Sequence, residues 1–207
     1  HTISFTVTDV NGNPSICSFT VTVIDTEAFT ITNVTSTNVV CNGDNDGTIT
    51  VTATGGPSGL FYSIDGINYT NTTGIFTNLA PGVYTVTVKN THDCLATWTP
   101  DITITEPSAL VINDVVTSNV TGCAGNTNAT ITVLASGGTP AIEYSINNGV
   151  SFQASNFFQN LAAGVYNVVV RDAHGCITAW GAPINVNEPA PILLQDIDII
   201  DVAGCYG

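Results

Sequence analysis

The sequence predicts an all-β chain built of tandem antiparallel β-sandwich domains, and three observations predict it. Apolar and polar residues alternate with period two along the main strand-like runs, while no segment shows the 3.6-residue period of a helix. Landmark residues recur at a fixed offset of 82 positions: Cys41 and Cys123, Tyr62 and Tyr144, Leu79 and Leu161, Tyr84 and Tyr166, Cys94 and Cys176, Trp98 and Trp180, Glu106-Pro107 and Glu188-Pro189. A period this long, kept over its whole length without one insertion, suits a small domain with its own core rather than a solenoid turn. Clusters of Gly, Asn, Asp and Pro punctuate the alternating runs at short intervals, the spacing of a chain that folds through tight turns.

The elements follow in order. In residues 1–27, Ile3, Phe5 and Val7 alternate with Thr2, Ser4, Thr6 and Thr8. The turn cluster Asp9-Val-Asn-Gly-Asn-Pro14 follows, and Phe19, Val21 and Val23 then alternate with Thr20 and Thr22. This is a β-hairpin, marginal on its own and needing further strands or a partner. The stretch FTVTDVNGNPSICSFTVTVIDTE, with its T-D-x-x-G-N turn, its Cys before the last strand and its D-T-E exit, resembles the closing third of a hyalin repeat (HYR) domain. That resemblance implies an extracellular immunoglobulin-like module whose late cysteine, here Cys17, pairs with an earlier one outside this sequence.

Residues 28–107 form the first full repeat. Phe29-Thr-Ile31 opens a strand, and Cys41-Asn-Gly-Asp-Asn-Asp-Gly47 makes a tight loop. Ile49, Val51 and Ala53 then alternate with Thr48, Thr50 and Thr52 until Gly55-Gly56-Pro57 stops the strand. Phe61-Tyr62-Ser-Ile64 is a short strand with a hairpin signal, Asp65-Gly66, at its end. Ile75-Phe76 marks another strand. Leu79-Ala-Pro-Gly82-Val-Tyr84 has the pattern of a tyrosine corner, in which a Tyr at the start of a strand bonds back to upstream backbone. Beyond it Tyr84, Val86 and Val88 are expected inward, Thr85 and Thr87 outward. Trp98, Ile102-Thr-Ile104 and Glu106-Pro107 close the unit.

Residues 108–189 repeat the plan, with Ile131, Val133 and Ala135, the stop Gly137-Gly138 and the corner Leu161-Ala-Ala-Gly164-Val-Tyr166. Residues 190–207 open a third unit that reaches Cys205. The patterns C-N-G-x-N-D-G-T-I-T-V, Y-S-I-D-G, F-x-N-L-x-x-G-x-Y-x-V-x-V-x-D-x-x-G-C and the T-E-P ending resemble the SprB repeat over about 180 residues. The second copy departs at its first loop, where Asn126, Asn128 and Ala129 replace Asp44, Asp46 and Gly47. The resemblance implies tandem immunoglobulin-like domains in a giant bacterial surface adhesin, displayed by type IX secretion and serving adhesion or gliding motility.

Composition bounds the function. Two Lys or Arg residues face 16 Asp or Glu, a formal charge of −14, and such a surface repels nucleic-acid backbones and anionic lipid. No run of 18 apolar residues is present, so no membrane insertion is expected. The chain lacks Met and opens within a strand pattern, which reads as an interior piece of a longer secreted protein. Cys41 and Cys94 lie 53 positions apart, as do Cys123 and Cys176, and this equal spacing predicts one disulfide within each repeat. A loop of that size stabilises a domain by about 3–4 kcal/mol and implies an oxidising compartment. Cys17 and Cys205 are left without partners in the segment.

Candidate chemistry is sparse. Asp44-Asn-Asp46-Gly47 resembles the start of a calcium loop, but no Glu closes the loop and Asx residues form such turns unaided. The junction carboxylates Asp25, Glu27, Glu106 and Glu188 invite the same question of calcium between domains. The repeated His92 and His174 each stand beside a Cys in a turn with no second His, and no Ser, His and acid converge. No catalysis is expected and no cofactor is required. Trp98, Trp180, Tyr62 and Tyr144 recur, which favours core packing over a sugar platform. Asn-x-Thr triplets at Asn33, Asn68, Asn71, Asn119 and Asn128 matter only in a host that adds N-glycans.

The expected function is therefore a structural or adhesive stalk segment, with neighbouring repeats, further copies of the protein or surface polysaccharide as partners. Two alternatives remain open: a self-assembling extracellular fibre joined by strand complementation, and a lectin-like module.

Overall fold

The structure is a computed structural model, and it describes residues 2–20, 28–56 and 59–197, with backbone alone at 2–5, 15 and 17–20. Every regular element among the described residues is a β-strand, and every strand pairing is antiparallel. The chain divides into two compact units, His1–Asn38 with Asp46–Ile104, and Val39–Asn45 with Thr105–Gly207. The first loop of the first repeat thus belongs to the unit that holds the second.

The first unit opens with a hairpin of β1 (Thr2–Thr8) and β2 (Pro14–Thr20), in register from Thr2 opposite Thr20 to Thr8 opposite Pro14. Asp9 builds the turn: its carboxylate accepts the backbone N–H groups of Asn11 (2.8 Å) and Asn13 (2.9 Å). Val21 and Val23, expected to extend the second strand, lie outside the described residues.

The first repeat forms three small sheets. In the first, β4 (Gly47–Gly55) lies between β3 (Phe29–Thr37) and β6 (Ile75–Leu79). Alternation decides which face of β4 is buried: Ile49 and Val51 are buried, Thr50 and Thr52 exposed. The strand stops at Gly55, where φ is +89° and a Cβ would stand 2.8 Å from the Ala28 carbonyl oxygen. The second sheet runs β5 (Phe61–Ser63), β8 (Thr87–Lys89), β9 (Leu95–Thr97), and the third pairs β7 (Gly82–Tyr84) with β10 (Ile102–Ile104).

The second repeat copies this plan. Its sheets are β11 (Val111–Ser118), β12 (Ala129–Ser136), β14 (Phe157–Leu161); β13 (Glu143–Ser145), β16 (Val169–Arg171), β17 (Ile177–Ala179); and β15 (Gly164–Tyr166) with β18 (Ile184–Val186). One buried cluster joins Ile112 of β11, Ala129, Ile131 and Val133 of β12, Val170 of β16 and Val186 of β18. Side chains from all three sheets therefore share a core, which makes the unit a sandwich. Tyr144, Tyr166 and Trp180 pack against that cluster.

Both tyrosine corners form: the Tyr84 hydroxyl donates to the Ala80 carbonyl at 2.8 Å, and Tyr166 to Ala162 at 2.9 Å. Two expectations need correction. Thr87 is not outward; it is buried, and its hydroxyl pairs with that of Tyr69 at 2.8 Å, because the ring covers the far face of β8. Asp65-Gly66 does not turn a hairpin of two paired strands: β5 pairs with β8, and the turn returns only to a single Tyr62–Asn71 bridge. The Asp65 carboxylate instead accepts the amides of Asn68 (2.8 Å) and Ile67 (2.9 Å), which hold its pKa far below the usual carboxylate range.

The repeat also contains an insertion. Ile31 opposes Ala53 and Ile112 opposes Ala135, so the opening strands are offset by 81 positions while the strands they pair with are offset by 82. The extra residue lies in the first loop, where two residues separate Val120 from Cys123 and one separates Val39 from Cys41. A surface loop absorbs it at little cost.

Candidate functional site

Two recurring turns present the cysteines, and each is built by its own backbone. In the second repeat, Asp172 is buried and its Oδ1 accepts the amides of His174 (2.9 Å) and Cys176 (2.9 Å). Its Oδ2 accepts the amide of Thr139 at 2.8 Å. Burial pushes the Asp172 pKa up, but the Thr139, Cys176 and His174 amides and the His174 charge outweigh it, and the net shift is downward. In the first repeat Asn90 does the same work, its Oδ1 accepting from His92 (2.9 Å) and Cys94 (3.0 Å). These turn builders escaped the sequence reading, although an Asn or Asp four positions before a Cys in both repeats was a visible signal.

The first loop is held from the junction that follows its repeat. Val39 donates to the Thr105 carbonyl (3.0 Å), the Asn42 side-chain amide to the Pro107 carbonyl (3.0 Å), and the Gly43 amide to the Glu106 carboxylate (2.6 Å). The second repeat shows the same grip, with Val120 donating to Asn187 (2.9 Å) and Gly125 to Glu188 (2.7 Å). Gly43 and Gly125 both take φ near +85°, which favours glycine at that point of the loop.

The disulfide lies within the unit to which this loop belongs. Cys41 bonds to Cys176, 135 positions away, with their Cα atoms 5.7 Å apart, and Cys94 and Cys123 are exposed and unbonded. The expected pairs Cys41–Cys94 and Cys123–Cys176 are therefore wrong. Equal spacing within each repeat was a true observation, but the Glu106-Pro107 junction carries the loop of Cys41 into the unit that holds Cys176. Cys205 and the side chain of Cys17 lie outside the described residues.

The remaining candidates fall as follows. Asp44 and Asp46 are exposed, and Glu106 accepts the Gly43 amide. Asn126 and Asn128, their counterparts in the second repeat, bind the backbone of Thr121, so these positions serve the turn itself. Among the described residues no three His, Cys, Asp or Glu side chains gather as a metal site would require. Asp25 and Glu27 lie outside the described residues, and Glu188 holds Gly125. His92 and His174 are exposed in their turns. Tyr62 is buried, and Trp98 and Trp180 are half-buried.

The only two cations of the chain, Lys89 and Arg171, stand at one repeat position. Lys89 lies 4.8 Å from the ring centre of Tyr69 and pairs with Asp93 (2.9 Å). Arg171 lies 4.2 Å from that of Phe152 and pairs with Glu143 (2.7 Å). A shallow groove of about 570 Å³ beside Phe152 and Arg171 is lined by Val169, Ile177 and Ala179. Its one charge already has a carboxylate partner.

The SprB repeat family model matches residues 33–68 and 115–151, the opening portion of each repeat. No curated protein matches the chain. Among solved structures, the chain is similar to the C-terminal 282-residue fragment of intimin, crystallised with the intimin-binding domain of the translocated intimin receptor, at 18% identity and a TM-score of 0.41. That match covers 76% of this chain and 64% of the intimin fragment.

Proposed function

We propose that the chain is a stalk segment of a large secreted bacterial surface adhesin, structural and adhesive rather than catalytic. The observation that carries this reading is the disulfide from the first loop of one repeat to the turn of the next, which ties domains in series and shields the chain between them from extension. The two SprB repeat matches support surface display, and the −14 charge with Thr-, Asn- and Ser-rich faces suits a solvated spacer. In this reading residues 1–27 end an HYR-like module, 28–107 and 108–189 are full repeats, and 190–207 begin a third. Type IX secretion carries the protein out, it serves gliding or attachment, and its partners are neighbouring repeats and surface polysaccharide. Antibody raised against residues 28–189 should label intact cells that make the parent protein, and deleting its gene should reduce attachment or gliding. Labelling confined to permeabilised cells sinks the proposal.

A further inference from the structure

We propose that the disulfides of this array form a ladder between consecutive repeats, in which Cys123 is the open half of a bond to the turn cysteine of the repeat that begins at residue 190. The inference rests on the tandem-array reading and adds to it the pairing rule and the partner. Cys41–Cys176 joins a first-loop cysteine to the turn cysteine of the following repeat. Moving that rule along by one repeat assigns Cys123 a partner 82 positions past Cys176.

Local geometry supports the shift, because both open cysteines sit in frames already seen in the bonded pair. Asn126 donates to the Cys123 carbonyl at 3.2 Å as Asp44 does to that of Cys41 at 3.1 Å. Glu188 holds Gly125 as Glu106 holds Gly43. At the other end Asn90 donates to the Cys94 carbonyl at 3.1 Å, as Asp172 does to that of Cys176 at 3.0 Å. The frames are complete and both thiols are exposed. Among the described residues neither has a cysteine partner.

Closing the bond is a two-electron oxidation, and an exported thiol oxidoreductase in its disulfide form supplies the oxidant. The Cys123 thiolate attacks one sulfur of that disulfide and expels the other as thiolate. The turn cysteine of the next repeat then attacks Cys123 and expels the second. The two protein thiols lose two electrons and two protons, and the oxidant becomes a dithiol.

The test is a peptide map of the parent protein, recovered from its cells, alkylated and digested without reduction. The ladder expects Cys41 linked to Cys176, and Cys123 linked to a cysteine peptide from the turn of another repeat. Cys123 recovered as an alkylated thiol, or linked to Cys176, overturns it. A parent sequence with no cysteine-bearing repeat past residue 190 overturns the ladder together with the array reading, whereas a free Cys123 beside such a repeat overturns the ladder alone. In the 207-residue chain, Cys176→Ser should raise the alkylatable cysteines by one, and the new one should be Cys41. If Cys123 becomes newly alkylated instead, pairing is within the repeat and the rule is wrong.

Discussion

Pulling the chain by its two ends should show how much of it the disulfide hides. The bond joins residues 135 apart, so tension that enters at Cys41 leaves at Cys176 and never extends the backbone between them. At about 3.5 Å per extended residue, reducing the bond should lengthen the unfolded chain by about 470 Å in a single step. Disulfides within each repeat would hide two loops of 53 residues and release about 370 Å in two steps of about 190 Å. The assay is single-molecule force spectroscopy of the oxidised chain, held under constant load while dithiothreitol is added. A two-step gain, or a total near the smaller figure, refutes the pairing on which the stalk argument stands. Because the hidden segment includes β4 to β10 and β11 to β16, one covalent bond would keep most of both repeats from unravelling under load.

The other predictions concern stability. A Cβ at Gly47 would meet the Leu79 carbonyl oxygen at 2.8 Å and Ile104 Cγ2 at 2.9 Å, so Gly47→Ala should cost about 1–3 kcal/mol in urea unfolding. The second repeat has Ala129 with Val186 at these positions, so adding Ile104→Val should recover part of that loss, and strict additivity of the two changes would refute the exchange. The folded pKa of Asp172 is lowered, so its contribution is present above the ordinary carboxylate value near 3.9 and fades as pH falls through the folded value. Asp172→Asn should therefore flatten the acid limb of a stability–pH profile, while costing about 1–3 kcal/mol at neutral pH through the abandoned Thr139 amide. In the first repeat Asn90 stands 82 positions before Asp172, and the residue 82 positions before Thr139 is a proline, which has no N–H. Tyr166→Phe should lower stability by about 0.5–1.5 kcal/mol through its lost bond to Ala162, and an unchanged urea midpoint would show that the corner is ornamental.

Much of this protein was legible in its sequence because the signals are local. Period-two alternation placed Ile49, Val51, Ile131 and Val133 in the core, since a strand has only two faces and one must be buried. The tyrosine corners were readable because the hydroxyl reaches only four residues back. Recurrence at 82 positions announced two copies of one domain before any contact was known. The inward turn of Thr87 was not readable, because it depends on Tyr69, 18 residues away, lying across the strand.

The disulfide was decided by tertiary structure alone. Four cysteines at equal spacings fit pairing within a repeat as well as pairing across repeats, and sequence distance cannot choose between them. Folding chooses: the loop of Cys41, with the Glu106 carboxylate on Gly43 and the Asn42 amide on Pro107, lies in the unit that holds Cys176. The sequence by itself determined what each domain is. Which cysteines bond was decided by tertiary structure, because only folding sets which loop lies within bonding distance of which turn.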